Sequence, residues 1–266
     1  MNWRRVTAKE CCPVCQKPDW CAIGQRWVNC MRVASERTCI NGGWLHLIGS
    51  TTRPAPTFQR APDPSPPLNV EAIMTIWRAQ TKLEWIEQFA MQLGVAPAAL
   101  SALGCVWASD HNAWAFPMCD GQSKQIGIRL RTLAGKKFAI TGSHSGVFVP
   151  SMPAQRELII CEGPSDTAAA LTLGFFAMGR PSCLGQEAII YDFIRIQGVR
   201  RVIICADHDD PGQQGAERLQ AALKVPSIIF TPPGKDIREA VQNGLTREIM
   251  LSLTKDLLWT STNKTI

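Results

Sequence analysis

The stretch VIICADHDD, residues 202–210, is an apolar run that ends in a cluster of carboxylates. A second stretch of the same kind, LIICEG, occupies residues 158–163 and carries Glu162 at its end. Short apolar runs rich in β-branched residues are typical of buried strands in a parallel sheet. In open α/β sheets the functional site lies at the carboxyl ends of the strands. The two stretches therefore predict a parallel sheet with acidic side chains gathered along one edge.

A helix is predicted after each of these strands. Residues 164–176 begin with Pro-Ser-Asp-Thr and continue as an alanine-rich run, and residues 211–223 repeat the arrangement after the second strand. A third apolar run, SIIF at residues 227–230, leads into PPGKD at residues 232–236. Because strands alternate with helices, a parallel sheet is expected. The second half of the chain is therefore predicted to have an α/β fold.

The acidic residues at the strand ends predict a magnesium site. Glu162 ends the first strand, and Asp207 and Asp209 follow the second. Mg²⁺ prefers oxygen ligands and shares them with the phosphates of a substrate. Carboxylates in this arrangement can hold the metal against the attacking and leaving oxygens of an in-line phosphoryl displacement. We therefore predict Mg²⁺-dependent phosphate chemistry, with Mn²⁺ as a possible substitute.

The composition is that of an ordinary globular protein. The chain has 266 residues, of which 45% are hydrophobic and 19% are charged, enough for one large or two modest domains. No apolar run approaches the ~20 residues of a membrane span, and the basic start lacks the apolar core of a signal peptide. We therefore expect an intracellular, cytoplasmic protein with no membrane partner.

The N-terminal segment is rich in cysteine. Six of the eleven cysteines lie within the first 39 residues, and an intracellular protein does not use such residues as a disulfide framework. Cys12 and Cys15 form a C-x-x-C knuckle, the spacing with which two thiolates face one ion. Cys21 and Cys30 are the predicted partners in a four-cysteine Zn²⁺ site. Because this second pair lacks the C-x-x-C form, three other residues stay open as ligands: Cys11, Cys39 and His46.

The positive charge of the chain is concentrated in the same segment. Residues 1–60 hold nine Lys or Arg residues against three acids, and this excess of +6 equals the net charge of the whole chain. Trp20, Trp27 and Trp44 lie among the basic residues, and aromatic faces beside cations suit single-stranded nucleic acid. A solvated basic face and a tryptophan core are the alternative interpretations. The segment is predicted to be a zinc ribbon that binds nucleic acid.

Proline separates this segment from the rest of the chain. Residues 49–69 contain six prolines, which predicts a semi-rigid linker. Helical periodicity follows at residues 70–94, with Gly94 as the C-cap, and again at residues 97–103. Alternating sequence then predicts three antiparallel strands, at residues 113–118, 125–131 and 137–140.

A basic face is predicted on the second of these strands. The apolar residues of the 125–131 strand alternate with Arg129 and Arg131, which therefore share one face. Lys136 and Lys137 follow in the next turn and strand. A positive surface placed directly before the acidic strands is suited to phosphate groups. A solvated edge of the sheet is the alternative, above all for the two lysines.

At Glu162, Asp207 and Asp209 the chain resembles the TOPRIM family, which is shared by bacterial-type primases, type IA and II topoisomerases and some nucleases. This resemblance covers about residues 156–245. A narrower one, to the primase half of bacteriophage primase-helicases, covers nearly the whole chain: zinc ribbon, linker, small basic subdomain and TOPRIM. The segments KFAITGSHSGVF at residues 137–148 and GKDIREA at residues 234–240 carry it.

The resemblance implies a role for each candidate residue. Glu162 would be the acid/base or metal-organising carboxylate, and Asp207 and Asp209 would bind Mg²⁺, with Asp210 and Asp236 as supporting acids. Basic side chains would hold nucleotide phosphates or template: Arg129, Arg131, Lys136, Lys137 and Lys235. The implied domains are a zinc ribbon (1–48), a linker (49–69), a small α+β basic subdomain (70–155), a TOPRIM catalytic domain (156–250) and a C-terminal tail (251–266).

With this order of parts, the resemblance implies a stand-alone DNA primase. Such an enzyme is a Mg²⁺-dependent nucleotidyltransferase that makes short RNA primers on single-stranded DNA from nucleoside triphosphates, in a bacterium or a phage-infected host. The sequence has no G-x-x-x-x-G-K-[ST] loop, so a helicase would be a separately encoded partner. A TOPRIM nuclease, with His208 as the candidate base, is one alternative, and a non-catalytic zinc–TOPRIM DNA-binding protein is another. The single tyrosine, Tyr191, lies inside the TOPRIM region, which argues against a topoisomerase.

Overall fold

The computed structural model describes residues 3–37, 39, 43–48, 68–183, 185–255 and 257. The chain divides into two compact units, Met1–Pro66 and Pro67–Ile266. Most of the predicted linker, residues 49–67, lies outside the described residues, as do residues 256 and 258–266 of the predicted tail.

The N-terminal unit is a small antiparallel sheet. Its four strands pair in chain order: β1 (Arg4–Arg5), β2 (Ala22–Ile23), β3 (Trp27–Cys30) and β4 (Trp44–Leu47). In the described part of this unit, the fully buried core consists of Val6 and Val28 together with three cysteines. A core of this size buries too little apolar surface to stabilise a fold by itself. The unit therefore needs another source of folding free energy.

The second unit begins with three helices and an antiparallel sheet. Asn69 caps the first helix, since its side chain accepts a hydrogen bond from the Ala72 N–H. The helices are α1 (Val70–Gln80), α2 (Leu83–Leu93) and α3 (Pro97–Ala102). The strands pair in chain order and are β5 (Val106–Ala108), β6 (Ala113–Cys119), β7 (Gln125–Thr132) and β8 (Lys137–Ala139). The three predicted strands are thus present, and β5 precedes them.

The prediction of one continuous helix over residues 70–94 is wrong. The chain breaks at Thr81, whose backbone is extended. The Thr81 hydroxyl donates to the Trp77 carbonyl at 2.7 Å and accepts the Trp107 N–H at 2.9 Å. These bonds end α1 and tie it to β5, while Gly94 ends α2 in the left-handed conformation. Periodicity did not reveal the break because each helix has an apolar face of its own, that of α1 in one hydrophobic cluster and that of α2 in another.

A four-stranded parallel sheet forms the remainder of the second unit. Its strands are β9 (Glu157–Glu162), β10 (Ala177–Arg180), β11 (Arg201–Cys205) and β12 (Ser227–Phe230). They lie in the order β10-β9-β11-β12, and all neighbouring pairs are parallel. The helices are α4 (Pro164–Thr172), α5 (Glu187–Gln197), α6 (Asp210–Ala222), α7 (Ile237–Gln242) and α8 (Arg247–Lys255). The predicted α/β fold class is confirmed.

The two sheets of this unit share a core. Strand β6 is buried at every position, because Ala113 and Ala115 pack on the α1 side while Trp114, Phe116 and Met118 enter the core of the parallel sheet. The segment after β8 also joins the sheets, because backbone hydrogen bonds of 2.7 and 2.9 Å pair Val147 with Cys119 of β6, and bonds of 2.8 and 3.0 Å pair Phe148 with Gly179 of β10. The basic strands are therefore held firmly beside the carboxyl ends of the parallel strands.

The predicted domain limits stay predictions. The limit at residue 250 falls inside α8, and the limit at residue 155 lies between elements that share one core. Across the described ranges, no helix is both long and apolar enough to cross a membrane.

Replacing Thr81 with valine is expected to lower the free energy of unfolding of the second unit by about 1–3 kcal/mol, since the Trp107 N–H loses its acceptor. Urea unfolding measures the difference. Thr141→Val, at an exposed position, is the control and should be close to neutral. Equal effects of the two substitutions would contradict this account of the helix break.

Candidate functional site

The acidic residues lie at the switch point of the parallel sheet, where the strand order reverses. From β9 the chain continues to β10 on one side, and β11 and β12 lie on the other side. Glu162 ends β9, and Asp207 follows the neighbouring strand β11. The crevice outside such a switch point is where open α/β sheets bind ligands. The topology thus brings two sequence-predicted acids to one place.

A pocket of about 250 Å³ opens at this point, here called the carboxyl-edge pocket. Acidic and basic side chains both line it. The acidic ones are Glu162, Asp166, Asp207 and Asp236. The basic ones are Arg129, Arg131, Lys137, Arg180, Lys235 and Arg238. Opposite charges that face each other across a small crevice can bind a ligand that carries phosphates and metal together.

Three carboxyl groups of the pocket, those of Glu162, Asp166 and Asp207, have raised pKa values. Burial and the charge of Asp207 raise the pKa of Glu162 to about 7, although Arg180 opposes the shift. Burial, together with Asp236 and Asp209, raises the pKa of Asp207 to about 6. These shifts follow from gathering like charges in a partly desolvated site. A bound cation would relieve the repulsion and favour the ionised forms.

Asp166 has the most strongly raised pKa of the three carboxyl groups, and the sequence analysis did not identify it as a site residue. Burial, followed by the charges of Asp236 and Asp207, raises its pKa to about 8. Asp166 Oδ1 is buried and, among the described residues, has no hydrogen-bond partner. A polar residue at the start of the buried, alanine-rich helix α4 is the signal that could have identified it. A buried carboxyl that lacks a partner in this position indicates a functional role.

Two of the other predicted acids, Asp209 and Asp236, cap helices. Asp209 is the N-cap of α6, where Oδ1 accepts the Gly212 N–H at 2.8 Å. Asp236 is the N-cap of α7 and accepts the Glu239 N–H at 2.7 Å. Asp236 still lines the carboxyl-edge pocket, whereas Asp209 and Asp210 are outside its lining. Asp209 acts on the pocket through its charge.

Of the five predicted basic residues, four line the pocket and one lies outside its lining. Arg129, Arg131, Lys137 and Lys235 line the carboxyl-edge pocket. Arg131 donates to the Ser165 hydroxyl at 3.2 Å, which connects β7 to the start of α4. Lys136 lies instead over the Phe138 ring, 5.8 Å from its centroid, and is outside the pocket lining.

Two further cations of the pocket, Arg180 and Arg238, were not predicted. Arg238 lies in α7, and its Nη2 is 3.8 Å from Asp236 Oδ2. Arg180 ends β10 beside Glu162. The apolar run before Arg180 could have indicated a strand that ends in a charge, but the sequence gives no sign that this charge is buried.

The carboxylates fit a magnesium ion that keeps part of its water. Among the described residues, only cysteines bring three or more ligand atoms within 4.8 Å of one another, so these acids do not form a closed cage. Mg²⁺ usually takes one or two carboxylates together with waters and substrate phosphates. The donor set consists of carboxylate oxygens, and Glu162 Oε1 and Asp166 Oδ1 have no hydrogen-bond partner among the described residues. Glu162 and Asp207 lie at the ends of neighbouring strands, which makes them the residues that could hold the metal.

The N-terminal unit contains a cysteine cluster that fits Zn²⁺. The Sγ atoms of Cys12, Cys15, Cys21 and Cys30 all lie within 4.8 Å of one another. Cys21 Sγ is 3.6 Å from Cys15 Sγ and 4.0 Å from Cys30 Sγ. Four thiolates about 2.3 Å from a tetrahedral zinc ion would be about 3.8 Å apart. The spacing therefore matches a four-cysteine zinc site.

Burial raises the pKa of the Cys21 and Cys30 thiols, and donors around the cluster oppose part of this shift. The Met31 N–H donates to Cys21 Sγ at 3.4 Å, and the Val33 N–H donates to Cys30 Sγ at 3.3 Å. Arg32 Nη1 lies 3.8 Å from two of the sulfur atoms. Such outer partners orient metal ligands and tune their basicity.

The alternative zinc ligands lie apart from the cluster. Among the described residues, the cluster contains four cysteines and excludes Cys11, Cys39 and His46. Cys11 is exposed and Cys39 is half-buried. His46 Nε2 instead pairs with the Val33 carbonyl at 2.9 Å.

Comparison with known proteins identifies similar folds. Residues 159–241 match the family model described as Toprim-like. The Aquifex aeolicus primase, solved with its zinc-binding and RNA polymerase domains, superposes with a TM-score of 0.57 at 14% identity, over 71% of this chain and 60% of that chain. The DnaG primase catalytic domain bound to single-stranded DNA gives 0.55 at 15% identity, over 71% and 77%.

A third similar structure comes from a bacteriophage. In it, the T7 lagging-strand DNA polymerase interacts with primase domains bound to an RNA/DNA hybrid and dTTP, and the TM-score is 0.50 at 17% identity, over 61% of this chain and 88% of that chain. A search of curated protein sequences gave no match. At these identities the likeness concerns the fold. Residues 159–241 thus resemble the Toprim-like family, and the fold is similar to that of primase catalytic cores.

The raised pKa of Asp166 predicts a pH-dependent stability. Since the folded state holds this proton up to about pH 8 and the unfolded chain releases it near pH 4, the contribution is full below pH ~4 and is lost as the pH rises toward ~8. Asp166→Asn is therefore expected to gain stability relative to wild type over this window, by up to about 1.4 kcal/mol per pH unit.

Urea unfolding at several pH values, in buffer without divalent metal, measures this gain. Asp110→Asn, at an exposed acid, is the control and should follow the wild-type curve. Parallel curves for wild type and Asp166→Asn would show that Asp166 is ionised in the folded protein.

Zinc removal is expected to unfold the N-terminal unit and leave the second unit folded, because the small core depends on the metal. Chelation followed by hydrogen exchange measures protection in each unit. Cys21→Ser should reproduce the loss in zinc content, whereas Cys11→Ser should retain the metal. Retention of zinc by Cys21→Ser together with loss by Cys11→Ser would overturn the ligand assignment.

Proposed function

We propose that the protein is a DNA primase that synthesises short RNA primers on single-stranded DNA from nucleoside triphosphates, with Mg²⁺ as cofactor. One observation carries the proposal: Glu162 and Asp207 meet at the switch point of the parallel sheet, opposite a wall of cations from the antiparallel sheet. Carboxylates that face cations across a crevice suit the joining of phosphate-bearing substrates. The similarity of the fold to primase catalytic cores supports this interpretation.

The acidic residues would organise the metal. Glu162 and Asp207 are the proposed Mg²⁺ ligands, with Asp209, Asp210 and Asp236 as supporting acids. When bound, Mg²⁺ would neutralise charge on the triphosphate and favour in-line geometry. Glu162 has an alternative role as a proton acceptor, since a carboxyl with a pKa of about 7 can exchange a proton near neutral pH.

The basic residues would bind the polyanions. Arg129 and Arg131 stand on β7 beside the carboxyl-edge pocket, and Lys137 and Lys235 reach it from β8 and from the loop before α7. Burial, together with the charge of Arg238, lowers the pKa of Arg131. Cations that are partly desolvated in this way gain more from a phosphate group than exposed ones do. Lys136, over Phe138, would contact the template outside the pocket.

The zinc ribbon would hold the template strand. Trp20 is 69% exposed, and the Arg32 guanidinium lies over its ring, 5.4 Å from the centroid. An exposed aromatic ring beside cations is suited to stack on a base of single-stranded DNA. The proposal includes an intracellular setting in a bacterium or a phage-infected host, and a separately encoded helicase as a partner.

Glu162→Gln tests the proposed function. We expect wild-type protein to make short products on random-sequence single-stranded DNA with labelled ribonucleotides and Mg²⁺. Glu162→Gln is expected to lose about 100-fold or more in rate, because one metal ligand is neutralised. Glu157→Gln is the matched control, since Glu157 lies at the opposite end of the same strand and pairs with Arg201 at 3.1 Å; it should retain activity.

The other outcomes separate the alternative functions. Intact DNA that is bound without primer synthesis would favour the non-catalytic DNA-binding protein. DNA that is degraded without nucleotides would favour the nuclease. Primer synthesis at an equal rate by wild type and Glu162→Gln would show that the reaction does not use this site.

A further inference from the structure

Arg180 is a fully buried cation beside Glu162. Its side chain is 1% exposed, and Nη2 lies 3.9 Å from Glu162 Oε1. The two residues are register partners on the parallel strands β10 and β9, so their side chains leave the sheet on the same face. A guanidinium at such a depth is costly unless it is paired. Its position therefore calls for a reason beyond packing.

Two backbone carbonyl groups hold this guanidinium in place. Arg180 Nη1 donates to the Cys183 carbonyl at 3.0 Å and to the Gly215 carbonyl at 3.4 Å. Gly215 has no room for a side chain, because a Cβ there would lie 2.4 Å from the Cys183 carbonyl oxygen. The loop after β10 and helix α6 are thus packed tightly around Arg180. The guanidinium has a fixed position, unlike that of a surface arginine.

The remaining groups at this place are not satisfied. Among the described residues, Arg180 Nε and Nη2 have no hydrogen-bond partner, and neither does Glu162 Oε1. The 3.9 Å separation of Nη2 and Oε1 exceeds a hydrogen bond by about 1 Å, so a small turn of the carboxylate would close it. Glu162 is still 15% exposed. One oxygen can therefore face Arg180 while the other faces the pocket.

We propose that Arg180 is a positioning residue for metal binding: it holds Oε1 of Glu162 so that the other carboxylate oxygen points into the carboxyl-edge pocket, toward Asp207. This inference rests on the proposed function, because it requires Glu162 to bind the divalent metal. Arg180 itself contacts neither metal nor nucleotide in this arrangement. It acts as the outer partner that orients a ligand, a role common in metal sites.

Positioning and simple electrostatics predict opposite results when Arg180 is replaced. Removal of a cation next to the metal-binding carboxylate would, by charge alone, strengthen the binding of a divalent metal. Loss of orientation would weaken it, because Glu162 would no longer present its oxygen toward Asp207. Because Arg180 also opposes the raised pKa of Glu162, about 7, the measurement is made at a pH well above this value, where the proton does not compete with the metal. There the direction of the change in metal affinity decides between the two roles.

The experiment measures Mn²⁺ binding to the full, zinc-loaded chain by the electron paramagnetic resonance of free Mn²⁺. The difference between wild type and Glu162→Gln defines the binding that belongs to this site. Arg180→Met is expected to weaken that binding by about 10- to 100-fold. Arg201→Met is the matched control, since Arg201 and Glu157 form another Arg–Glu pair between neighbouring strands of the same sheet; it should bind as wild type.

Arg180→Lys keeps the charge but cannot reproduce the fork of donors, so an intermediate affinity is expected. If Arg180→Met does not fold, as judged by thermal unfolding, Arg180→Lys against Arg201→Lys decides the question. Wild-type or tighter Mn²⁺ binding by the folded Arg180 variants would overturn the positioning role and leave the proposed function standing. No Glu162-dependent Mn²⁺ binding in wild type would overturn the inference together with the proposed metal site.

Discussion

The second unit holds several carboxylates close together at the carboxyl edge of its parallel sheet, against their mutual repulsion. Glu162, Asp166, Asp207 and Asp236 line one small pocket, and burial with mutual charge raises the pKa of the first three. Because these groups repel one another, gathering them lowers the stability of the fold, as is typical of a functional site. The basic strands, which are fixed beside the pocket by a shared core, offset part of this repulsion.

The frame around the pocket is rigid because its elements approach closely. Gly163 has a φ of 85° at the N-cap of α4, a conformation that other residues adopt at a cost. Gly179 on β10 admits no side chain, since a Cβ would lie 2.2 Å from Thr167 Oγ1. The alanine-rich face of α4 is fully buried against the sheet. These contacts fix the start of α4, and with it Asp166, beside the ends of β9 and β10.

The sequence predicted the parts of the site that depend on strand order alone. Glu162 and Asp207 follow short apolar runs, and parallel strands must bring their carboxyl ends to one edge, so their proximity could be inferred. The four-cysteine cluster was equally accessible, because C-x-x-C spacing reports local geometry. The positive face of β7 followed from the period of two in a strand.

The remaining features depend on tertiary burial, which a single sequence does not display. Asp166 and Arg180 look like ordinary polar residues at element ends until the packing around them is known. The break at Thr81 depends on a hydrogen bond to Trp107, 26 positions later in the chain. Strand β10 is only four residues long, too short to show a period. Asp209 satisfies the acidic pattern, but its carboxylate also caps α6, so pattern alone could not separate the two roles.

The most direct test of the account is an anomalous-scattering map of crystals of the zinc-loaded protein soaked with Mn²⁺ and a nucleoside triphosphate. We expect one Mn²⁺ peak in contact with Glu162 and Asp207, with the triphosphate against Arg131 and Lys137, and a separate zinc peak at the four cysteines. Mn²⁺ bound elsewhere, with Glu162 and Asp207 making no metal contact, would contradict it.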